Sequence, residues 1–600
     1  MIDTKELPKE KESQCTSYPR PQFRRDTWID LNGTWLFQFD DEDKGEQEEW
    51  FKGGCLTEEI QVPYVYQSEK SEVEEESFHH RIVWYEKNFE WEPTDNEMYL
   101  HFEAVDYSTK VWVNGQFVGD HEGGHTPFSF QIRPSLIEGE NTITVRIQDD
   151  NDVEQPIGKQ SWKSDNFLCW YTRTTGIWQP VWLEEVSPVH LERVRITPKV
   201  EDSTVEIQGH IKGHHMPVQL EAEVFFNGEW ITTAGVWVKP GKRTVDLKLD
   251  VQSDKADFRV FYWSPDTPNL YDLQFKVKDR HHLYDQVQSY FGMRSIETKG
   301  EDILLNRERF YQRLILDQGY YAGSLMTASY EQMEQDLIKV KEMGFNGVRR
   351  HQTIADRRYM EICDRLGLVM WAEMPSSFLF STTSMTRMMD ESREMIEKHY
   401  NHPSVIIYTL MNESWGVNEI YHQPAQQNFV NALYYQAKSY DPTRLIVGND
   451  GWEHTLTDIL TIHDYNSDPV SMRANYQSKD KFVDGSPSET SCKQNYARGY
   501  HYNGEPVMIS EYGGIAYGKS EEGDWGYGSR PETSEEVLQR LEELTKVIHS
   551  TPFIQGFCYT QLTDVEQEVN GLLDHNHEYK FDPVKIKEII ARQSSGFVFE

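Results

Sequence analysis

The second half of the sequence alternates short apolar runs with amphipathic stretches, and this rhythm restricts the possible fold more than any other feature. In one amphipathic stretch Met333, Leu337 and Val340 fall at i, i+4 and i+7, which gives a helix one apolar stripe. Eight apolar runs with mostly helical connections over about 300 residues are typical of a (β/α)8 TIM barrel. The predicted strands are Arg313–Leu316, Gly347–Arg349, Leu368–Trp371, Val405–Leu410, Leu445–Val447, Ile459–Ile462, Val507–Ile509 and Ile554–Cys558.

The first half of the sequence instead consists of short β-rich runs separated by turn residues, with no convincing helix. Asn114-Gly115 and Asn227-Gly228 each follow an alternating run, and Asn-Gly favours the tight turn of a hairpin. The runs predict a multidomain chain: an all-β jelly-roll sandwich at 1–186, an immunoglobulin-like β-sandwich at 187–297 and the barrel at 298–600.

Charge and targeting signals restrict the partners and the compartment. The chain has 60 Lys and Arg against 99 Asp and Glu, a net charge of −39, which repels nucleic acids and anionic membranes. The first ten residues contain no apolar run of the signal-peptide type, and no stretch of about 18 apolar residues follows. The six cysteines include no Cys-x-x-Cys pair, which favours neither a disulfide framework nor a zinc site. We therefore expect a soluble, cytoplasmic protein without nucleic acid or membrane partners.

Polar side chains collect where the predicted barrel strands end. Ordinary strand exits carry turn residues, whereas a ring of carboxylates, imidazoles and amides around a barrel mouth is suited to holding sugar hydroxyls and cleaving glycosidic bonds. The residues in question are Asp317, Arg349, Arg350, His351, Glu373, Asn412, Glu413, His463, Asp464, Tyr465, Glu511, Tyr512, Gln561 and Asp564.

Two of these carboxylates are the candidate catalytic residues. Glu413 ends the apolar run from Val405 to Met411, and Glu511 ends the run from Pro506 to Ser510. They are 98 positions apart in sequence, but strands four and seven of a barrel face the same cleft. A separation of roughly 5–5.5 Å would allow one carboxylate to attack an anomeric carbon while the other protonates the leaving oxygen, which is retaining hydrolysis. This chemistry requires no cofactor and no metal.

The neighbouring residues are candidate sugar contacts, each with a structural alternative. The Asn412 amide suits a sugar 2-hydroxyl and the Trp415 indole suits stacking on a sugar ring. His351 is a substrate ligand or a satisfied core histidine. The remaining candidate sugar contacts are Asp317, Glu373, His463, Asp464, Tyr465 and Tyr512. The alternative for the acids is a buried ion pair, and the alternative for His463 with Asp464 is a metal site.

The sequence resembles glycoside hydrolase family 2, the family of β-galactosidases and β-glucuronidases. Tyr408-Thr409-Leu410-Met411-Asn412-Glu413-Ser414-Trp415-Gly416 is similar to its acid/base segment, and Ile509-Ser510-Glu511-Tyr512-Gly513-Gly514 to its nucleophile segment. Further similar stretches include Leu31-Asn32-Gly33-Thr34-Trp35, Arg173-Thr174-Thr175-Gly176-Ile177-Trp178 and Gly344-Phe345-Asn346-Gly347-Val348-Arg349. The resemblance implies that Glu413 is the acid/base, that Glu511 is the nucleophile and that the jelly roll is a sugar-binding-like domain; it also allows a homo-oligomer.

The resemblance leaves the substrate open. It implies a retaining exo-β-glycosidase that acts on a small glycoside or an oligosaccharide, with β-galactosidase-like activity as the default. β-Glucuronidase, β-mannosidase, a galactofuranosidase or arabinofuranosidase and a non-catalytic carbohydrate-binding protein are the alternatives. Family β-glucuronidases hold the substrate carboxylate with an Asn-x-Lys motif, whereas here Asn576 and Lys580 are four positions apart. Arg349 or Arg350 could in principle hold an acid group.

Overall fold

The computed structural model describes residues 18–73, 79–252, 257–486, 493–518 and 523–594. The chain forms two β-sandwiches followed by a parallel (β/α) barrel, which confirms the predicted fold class. No helix in these ranges combines the length and the apolar character that crossing a membrane requires.

The first sandwich packs a four-stranded sheet, ordered β1-β12-β5-β9, against a six-stranded sheet, ordered β3-β2-β4-β10-β7-β8. Alternation buries one side of each strand; in β2, Trp35 and Phe37 lie in the core and Thr34 is exposed. Asn114 and Gly115 both have positive φ, 50° and 73°, and form the predicted hairpin turn between β7 and β8. The strands are β1 Trp28–Asp30, β2 Gly33–Phe39, β3 Glu58–Val62, β4 Ile82–Trp91, β5 Glu97–Phe102, β6 Val105–Asp106, β7 Ser108–Val113, β8 Gln116–Glu122, β9 Phe128–Gln131, β10 Gly139–Gln148, β11 Gly176–Ile177 and β12 Val181–Val186.

The second sandwich has a three-stranded sheet, β13-β14-β17, facing a four-stranded sheet, β16-β15-β18-β19. This is the predicted immunoglobulin-like arrangement, and Asn227-Gly228 turns β15 into β16 as expected. Its core consists of the inward apolar residues of both sheets, such as Ile207 of β14, Leu220 of β15 and Phe275 of β18. The strands are β13 His190–Lys199, β14 Thr204–Lys212, β15 Val218–Phe226, β16 Glu229–Val238, β17 Thr244–Asp250, β18 Tyr271–Lys278 and β19 Leu283–Phe291.

A small three-stranded sheet leads into the barrel, whose eight strands pair in parallel in the order β27-β26-β25-β24-β23-β30-β29-β28. The two ends of this order, β27 and β28, do not form a ladder within the described residues, so the barrel is nearly closed. The preceding strands are β20 Ile296–Lys299, β21 Asp302–Leu305 and β22 Glu308–Arg309, and the barrel strands are β23 Gln312–Asp317, β24 Gly347–Arg350, β25 Val369–Glu373, β26 Val405–Thr409, β27 Leu445–Val447, β28 Leu460–Asp464, β29 Val507–Gly513 and β30 Ile554–Thr560. All eight predicted strands are present.

Helices cover the outside of the barrel, and their apolar faces pack on the outward side chains of the strands. Met333, Leu337 and Val340 of the first helix are buried there, as their spacing predicts. The helices are α1 Tyr330–Glu342, α2 Arg357–Leu366, α3 Thr382–His399, α4 Pro424–Tyr440, α5 Pro469–Asn475, α6 Lys479–Val483, α7 Ser534–His549 and α8 Pro583–Ile590.

Each barrel strand therefore has an inward and an outward face, and this decides which polar residues meet at the barrel mouth, the carboxyl end of the strands. Inside, Leu316, Trp371 and Ile407 form one apolar cluster, while Ile315 and Met370 on the other face belong to the cluster beneath the helices. A side chain at a strand end points into the mouth only when it continues the inward face.

The two sandwiches are joined by a buried cation. The Arg25 guanidinium donates to Glu184 of β12 at 2.8 Å and to both oxygens of Asp285 of β19, at 2.9 and 2.8 Å. All three side chains are buried. Because a buried carboxylate is costly without a partner, Arg25 fixes the junction of the two sandwiches.

We predict that Arg25→Met lowers the free energy of unfolding by about 3–5 kcal/mol, since it leaves two buried carboxylates short of a partner. Urea denaturation followed by tryptophan fluorescence measures this loss. Arg259→Met is the matched control, because Arg259 is exposed and forms a surface ion pair with Asp257. Equal denaturation curves for the two variants would contradict the assigned role of Arg25.

Candidate active site

Glu511 and Glu413 lie toward the carboxyl ends of two barrel strands, β29 and β26, that other strands separate in the sheet order. Glu511 is within β29, and its side chain is 7% exposed. Glu413 follows β26 in a turn where Glu413 and Ser414 have positive φ, 52° and 60°, and its side chain is 18% exposed. The backbone N–H of Glu413 donates to the carbonyl of Asp450 at 2.9 Å, which fixes this turn against the segment after β27.

The two carboxylates share one mouth with an imidazole. One oxygen of Glu413, one oxygen of Glu511 and one ring nitrogen of His463 all lie within 4.8 Å of one another. In the parallel ladder His463 of β28 is in register with Glu511 of β29, so both continue the inward face. The arrangement brings together two acids that are distant in sequence.

Arg349 is the cation at the centre of this site, and its side chain is completely buried. Its Nε donates to Glu373 Oε2, its Nη1 to Glu511 Oε1 and its Nη2 to Asn412 Oδ1, each at 2.7 Å. Asp450 Oδ2 lies 2.7 Å from the same Nη1. One guanidinium thus fixes the two predicted residues Glu373 and Asn412 around Glu511.

His463 lies between the two candidate acids. Its Nδ1 is 2.7 Å from Glu413 Oε1, and its Nε2 is 2.9 Å from Asp450 Oδ2 and 3.4 Å from Glu511 Oε1. Burial alone would lower the pKa of His463, but the negative charges of Glu511 and Asp450 raise it to about 10. At neutral pH the ring is therefore an imidazolium that donates from both nitrogens.

The same contacts decide the charge of Glu413. Burial would raise the pKa of Glu413, but the hydrogen bond from His463 and the positive charges of His463 and Lys159 lower it below its ordinary value. In the unliganded site the proton of this pair therefore lies on His463 Nδ1, 2.7 Å from the Glu413 oxygen.

Tyr465 completes the surroundings of Glu511. Its hydroxyl donates to Glu511 Oε2 and lies 3.0 Å from the Thr560 hydroxyl at the end of β30. Its ring stacks on Tyr527 with centroids 3.5 Å apart and planes 7° apart. Both oxygens of Glu511 thus have a donor, which holds the carboxylate in one orientation.

His351 and Glu373 form a deeper part of the site. His351 Nδ1 is 3.0 Å from Glu373 Oε1, at an angle outside hydrogen-bond geometry. Burial and the charge of Arg349 hold the pKa of His351 well below its ordinary value, so the ring is neutral. Burial raises the pKa of Glu373 to about 6, against the attraction of Arg349.

Other predicted site residues lie away from these two glutamates. Asp317 accepts from Arg350 at 2.6 Å and from the Tyr359 hydroxyl at 2.7 Å, which is the ion-pair alternative considered for it. Asp464 accepts from Tyr476 of the helix layer at 2.9 Å. The Tyr512 hydroxyl lies 2.8 Å from Thr545 of α7.

Trp415 belongs to an aromatic wall of the mouth. Its ring meets Trp170 at 5.1 Å and Phe378 at 5.6 Å. Trp170 comes from the loop between β10 and β11 of the first sandwich, whereas Phe378 follows β25 of the barrel. The first sandwich thus contributes directly to one side of the mouth.

Two charged residues of the site were absent from the predicted set. Asp450 follows the fifth strand in Gly448-Asn449-Asp450-Gly451, a strand end at which the sequence analysis named no candidate. The rule of inspecting every strand end would have found it. Lys159 comes from the first sandwich, and its charge acts on both Glu413 and Glu511. Nothing local in the sequence marks Lys159 as a residue that reaches the site from another domain.

The cluster of Glu413, His463 and Glu511 also has the composition of a metal site. A histidine nitrogen must lose its proton to bind a metal, and here both ring nitrogens face carboxylates that stabilise the imidazolium. We therefore interpret the cluster as a proton-sharing arrangement of acids and an imidazole.

Comparison with known families gives the same domain order. The model described as "Glycosyl hydrolases family 2, sugar binding domain" matches residues 29–184, "Glycosyl hydrolases family 2" matches 189–294, and "Glycosyl hydrolases family 2, TIM barrel domain" matches 296–527. The chain belongs to glycoside hydrolase family 2. The predicted family is thereby confirmed.

Curated relatives of this family 2 chain have different names. It is 27% identical over 442 residues to a protein named putative beta-glucuronidase from Formosa agariphila, which covers 72% of this chain and 52% of that protein. It is 26% identical over 404 residues to a beta-galactosidase from Thermoanaerobacter pseudethanolicus, with coverages of 65% and 51%. The chain spans about half the length of the curated relatives it matches.

Solved structures share the fold over nearly the whole chain. A beta-glucuronidase from an uncultured Clostridium species has a TM-score of 0.77 at 18% identity and covers 94% of this chain and 98% of its own. A beta-galacturonidase from Eisenbergiella tayi has a TM-score of 0.73 at 19% identity, with coverages of 96% and 98%. At these identities the likeness establishes the fold.

We predict that His463 remains doubly protonated at about pH 8, because its pKa is raised to about 10. NMR of protein with isotope-labelled histidine distinguishes an imidazolium from a neutral tautomer, and His463→Gln assigns the signal. Since the folded pKa exceeds the ordinary value of 6.5, the stabilisation by this group is complete below about pH 6.5 and is lost as the pH rises through about 10. A neutral ring at about pH 8 would contradict the electrostatic account.

Proposed function

We propose that this chain is a retaining exo-β-glycosidase that removes the terminal sugar of a glycoside or oligosaccharide by double displacement. The observation that carries the proposal is the pair Glu413 and Glu511, with one oxygen of each within 4.8 Å in a single barrel mouth. A separation of roughly 5–5.5 Å is typical of retaining enzymes, whereas inverting enzymes leave a wider gap for water.

Glu511 is the nucleophile and Glu413 is the acid/base. Glu511 is held by Arg349 and Tyr465, so its carboxylate oxygens are oriented for attack. Glu413 is more exposed and has His463 as its hydrogen-bond partner, which suits a group that exchanges protons with the leaving group and then with water.

The steps follow from these positions. An oxygen of Glu511 forms a bond to the anomeric carbon while the bond from that carbon to the leaving oxygen breaks, and the leaving oxygen takes a proton from Glu413. In the second step Glu413 removes a proton from water, whose oxygen displaces Glu511 from the same carbon. Two inversions give retention. Because Glu413 is ionised in the unliganded site, the proton that it gives to the leaving oxygen comes from His463 Nδ1, and the proton taken from water in the second step returns to the same nitrogen.

The aromatic wall on one side of the mouth supports exo action. The wall of Trp170, Phe378 and Trp415 closes one side of the mouth, and the loop that carries Trp170 is fixed to the barrel by the Phe378 N–H, which donates to the Val153 carbonyl at 2.8 Å. Accumulation of mid-chain fragments during digestion of an oligosaccharide would contradict exo action.

β-Galactosidase-like activity on a neutral sugar is the favoured specificity. In this chain Lys580 donates to both oxygens of Asp564, at 2.8 and 3.0 Å, so its charge is already neutralised. Asn576 lies in the exposed turn after Asp574. This geometry disfavours the use of Lys580 to hold a uronate, although the names of several relatives keep β-glucuronidase as the second candidate.

We predict that Glu511→Gly lowers turnover by several orders of magnitude, because the nucleophile is removed, and that azide restores activity with a glycosyl azide of inverted configuration. Glu413→Gly with azide should instead give the retained configuration, since azide then replaces water in the second step. Polarimetry and NMR of the products identify each azide. Glu542→Gln, on the exposed outer surface, is the control. An exchange of the two product configurations would reverse the assigned roles.

A panel of p-nitrophenyl glycosides tests the choice of sugar. We predict the highest kcat/KM on a neutral β-glycoside, with the β-galactoside first. Activity on the β-glucuronide should be lower by about 10-fold or more, because Lys580, the lysine considered for the Asn-x-Lys role, is already paired with Asp564. Higher activity on the glucuronide would make β-glucuronidase the function. Absence of turnover on all glycosides would favour the carbohydrate-binding alternative.

A further inference from the structure

The first sandwich delivers one charged side chain to the barrel mouth through a tight backbone contact. The N–H of Gly158 donates to the Ser376 carbonyl at 3.1 Å. Gly158 has φ +61°, and a Cβ atom at this position would lie 2.2 Å from the Gln352 carbonyl oxygen. Gln352 follows β24 and Ser376 follows β25, so only glycine allows the loop to approach these strand ends so closely.

The residues on either side of Lys159 fix its backbone. The Tyr171 N–H donates to the Lys159 carbonyl at 2.8 Å. The buried Gln160 side chain donates to Asp106 at 2.8 Å and accepts from the Thr174 N–H at 2.7 Å. The loop is therefore a rigid support from which the Lys159 side chain projects.

The ammonium of Lys159 has carboxylates around it but none in direct contact. Its Nζ is 6.0 Å from the ring centroid of Trp170 in the aromatic wall. Burial would lower its pKa, but the charges of Cys169, Glu568, Glu413 and Glu511 raise it. Among the residues that the structure describes, no carboxylate oxygen lies within 4.0 Å of this ammonium. The Cys169 thiol hydrogen-bonds to this half-buried ammonium, which has three donors and so keeps donors available for a ligand.

Glu568 provides an acceptor on the same side of the mouth. It is buried, its Oε2 accepts from the Tyr171 hydroxyl at 2.6 Å, and its Oε1 accepts from the Asn570 amide at 3.0 Å. A carboxylate offers about four acceptor positions, so each oxygen has one left. Tyr171 thus connects both groups, since its hydroxyl binds Glu568 and its N–H binds the Lys159 carbonyl.

We propose that Lys159 and Glu568 form a hydroxyl-recognition pair for the terminal sugar of an uncharged glycoside, an inference that rests on the proposed function. The Lys159 ammonium donates to one sugar hydroxyl oxygen, and the Glu568 carboxylate accepts the proton of a neighbouring hydroxyl. A donor and an acceptor side by side match a pair of adjacent hydroxyl groups, each of which is both donor and acceptor.

The charges around the pair disfavour an acidic group bound at Lys159. A uronate carboxylate bound at Lys159 would enter the field of Glu568, Glu413 and Glu511, the same three acids that act on Lys159. Like charges in such a poorly solvated site are unfavourable, whereas a hydroxyl adds no charge. Lys159 therefore offsets acids that are already present and has no capacity for another.

The experiment compares wild type with Lys159→Met on the best neutral p-nitrophenyl glycoside and on its monodeoxy analogues. Loss of a charged donor to a hydroxyl should lower kcat/KM by about 10- to 100-fold. With wild type, removing the hydroxyl that Lys159 contacts should lower kcat/KM by a similar factor. With Lys159→Met, removing the same hydroxyl should lower kcat/KM little further, because the contact is already absent. Lys163→Met is the matched control, since Lys163 is on the same loop and its ammonium lies over the exposed side of Phe167.

Each outcome decides the inference. If Lys159→Met lowers kcat/KM by the same factor on the parent glycoside and on every deoxy analogue, Lys159 has a structural role and the inference is wrong. A wild-type preference for the uronide over the neutral glycoside of the same configuration would also overturn the inference. The latter comparison needs only wild type, so it stands even if the variant does not fold. Calorimetry with the free monosaccharide separates the two proposals. Binding that depends on Lys159 but without turnover would contradict the glycosidase activity and support the recognition pair. Turnover in which Lys159→Met leaves the effect of each deoxy substitution unchanged would contradict only the recognition pair.

Discussion

The candidate site depends on one fully buried guanidinium. Arg349 has no access to solvent, and neither do Glu373 and Asp450, two of the carboxylates beside it. Burying any one of these charges alone would cost a large free energy of desolvation. The cation and its acids are therefore stable as ions only because they lie together. Because the five donors of the guanidinium are fixed in one plane, the same residue that balances the charge also sets the directions of Glu511, Glu373 and Asn412.

The position of Arg349 follows from the two-residue period of a strand. In the parallel ladder Arg349 is in register with Leu316 and Trp371, which are inside the barrel, whereas Arg350 is in register with Asp317 and faces the helices. Two consecutive arginines therefore have different functions: the first organises the mouth, and the second forms an ion pair with Asp317 beneath the helix layer.

The sequence allowed the fold to be predicted far better than the side-chain orientations. All eight barrel strands, both hairpin turns and the domain order can be read from apolar periodicity and Asn-Gly dipeptides, because these are local properties. The orientation of the Glu511 side chain cannot be read from the sequence in this way. Met508 faces inward and Ile509 outward, so strict alternation would turn Glu511 outward and Tyr512 inward. A register irregularity between Ile509 and Tyr512 reverses this order, and alternation in the sequence does not predict it.

Lys159, which reaches the site from another domain, was equally inaccessible to local reasoning, whereas the aromatic character of Trp170 already made it a candidate for this position. The loop that carries Trp170 and Lys159 is placed by Gly158 of the first sandwich, which contacts the carbonyl groups of Gln352 and Ser376 after two barrel strands. A contact of this kind between domains has no periodic signal in the sequence. Its consequence is electrostatic. The barrel alone gathers several acids around Arg349 and His463, and the first sandwich adds a third cation, so the balance of charge at the mouth is set jointly by two domains. Variation in this loop can therefore change which sugar is accepted while the two glutamates that carry the proposed chemistry stay in place.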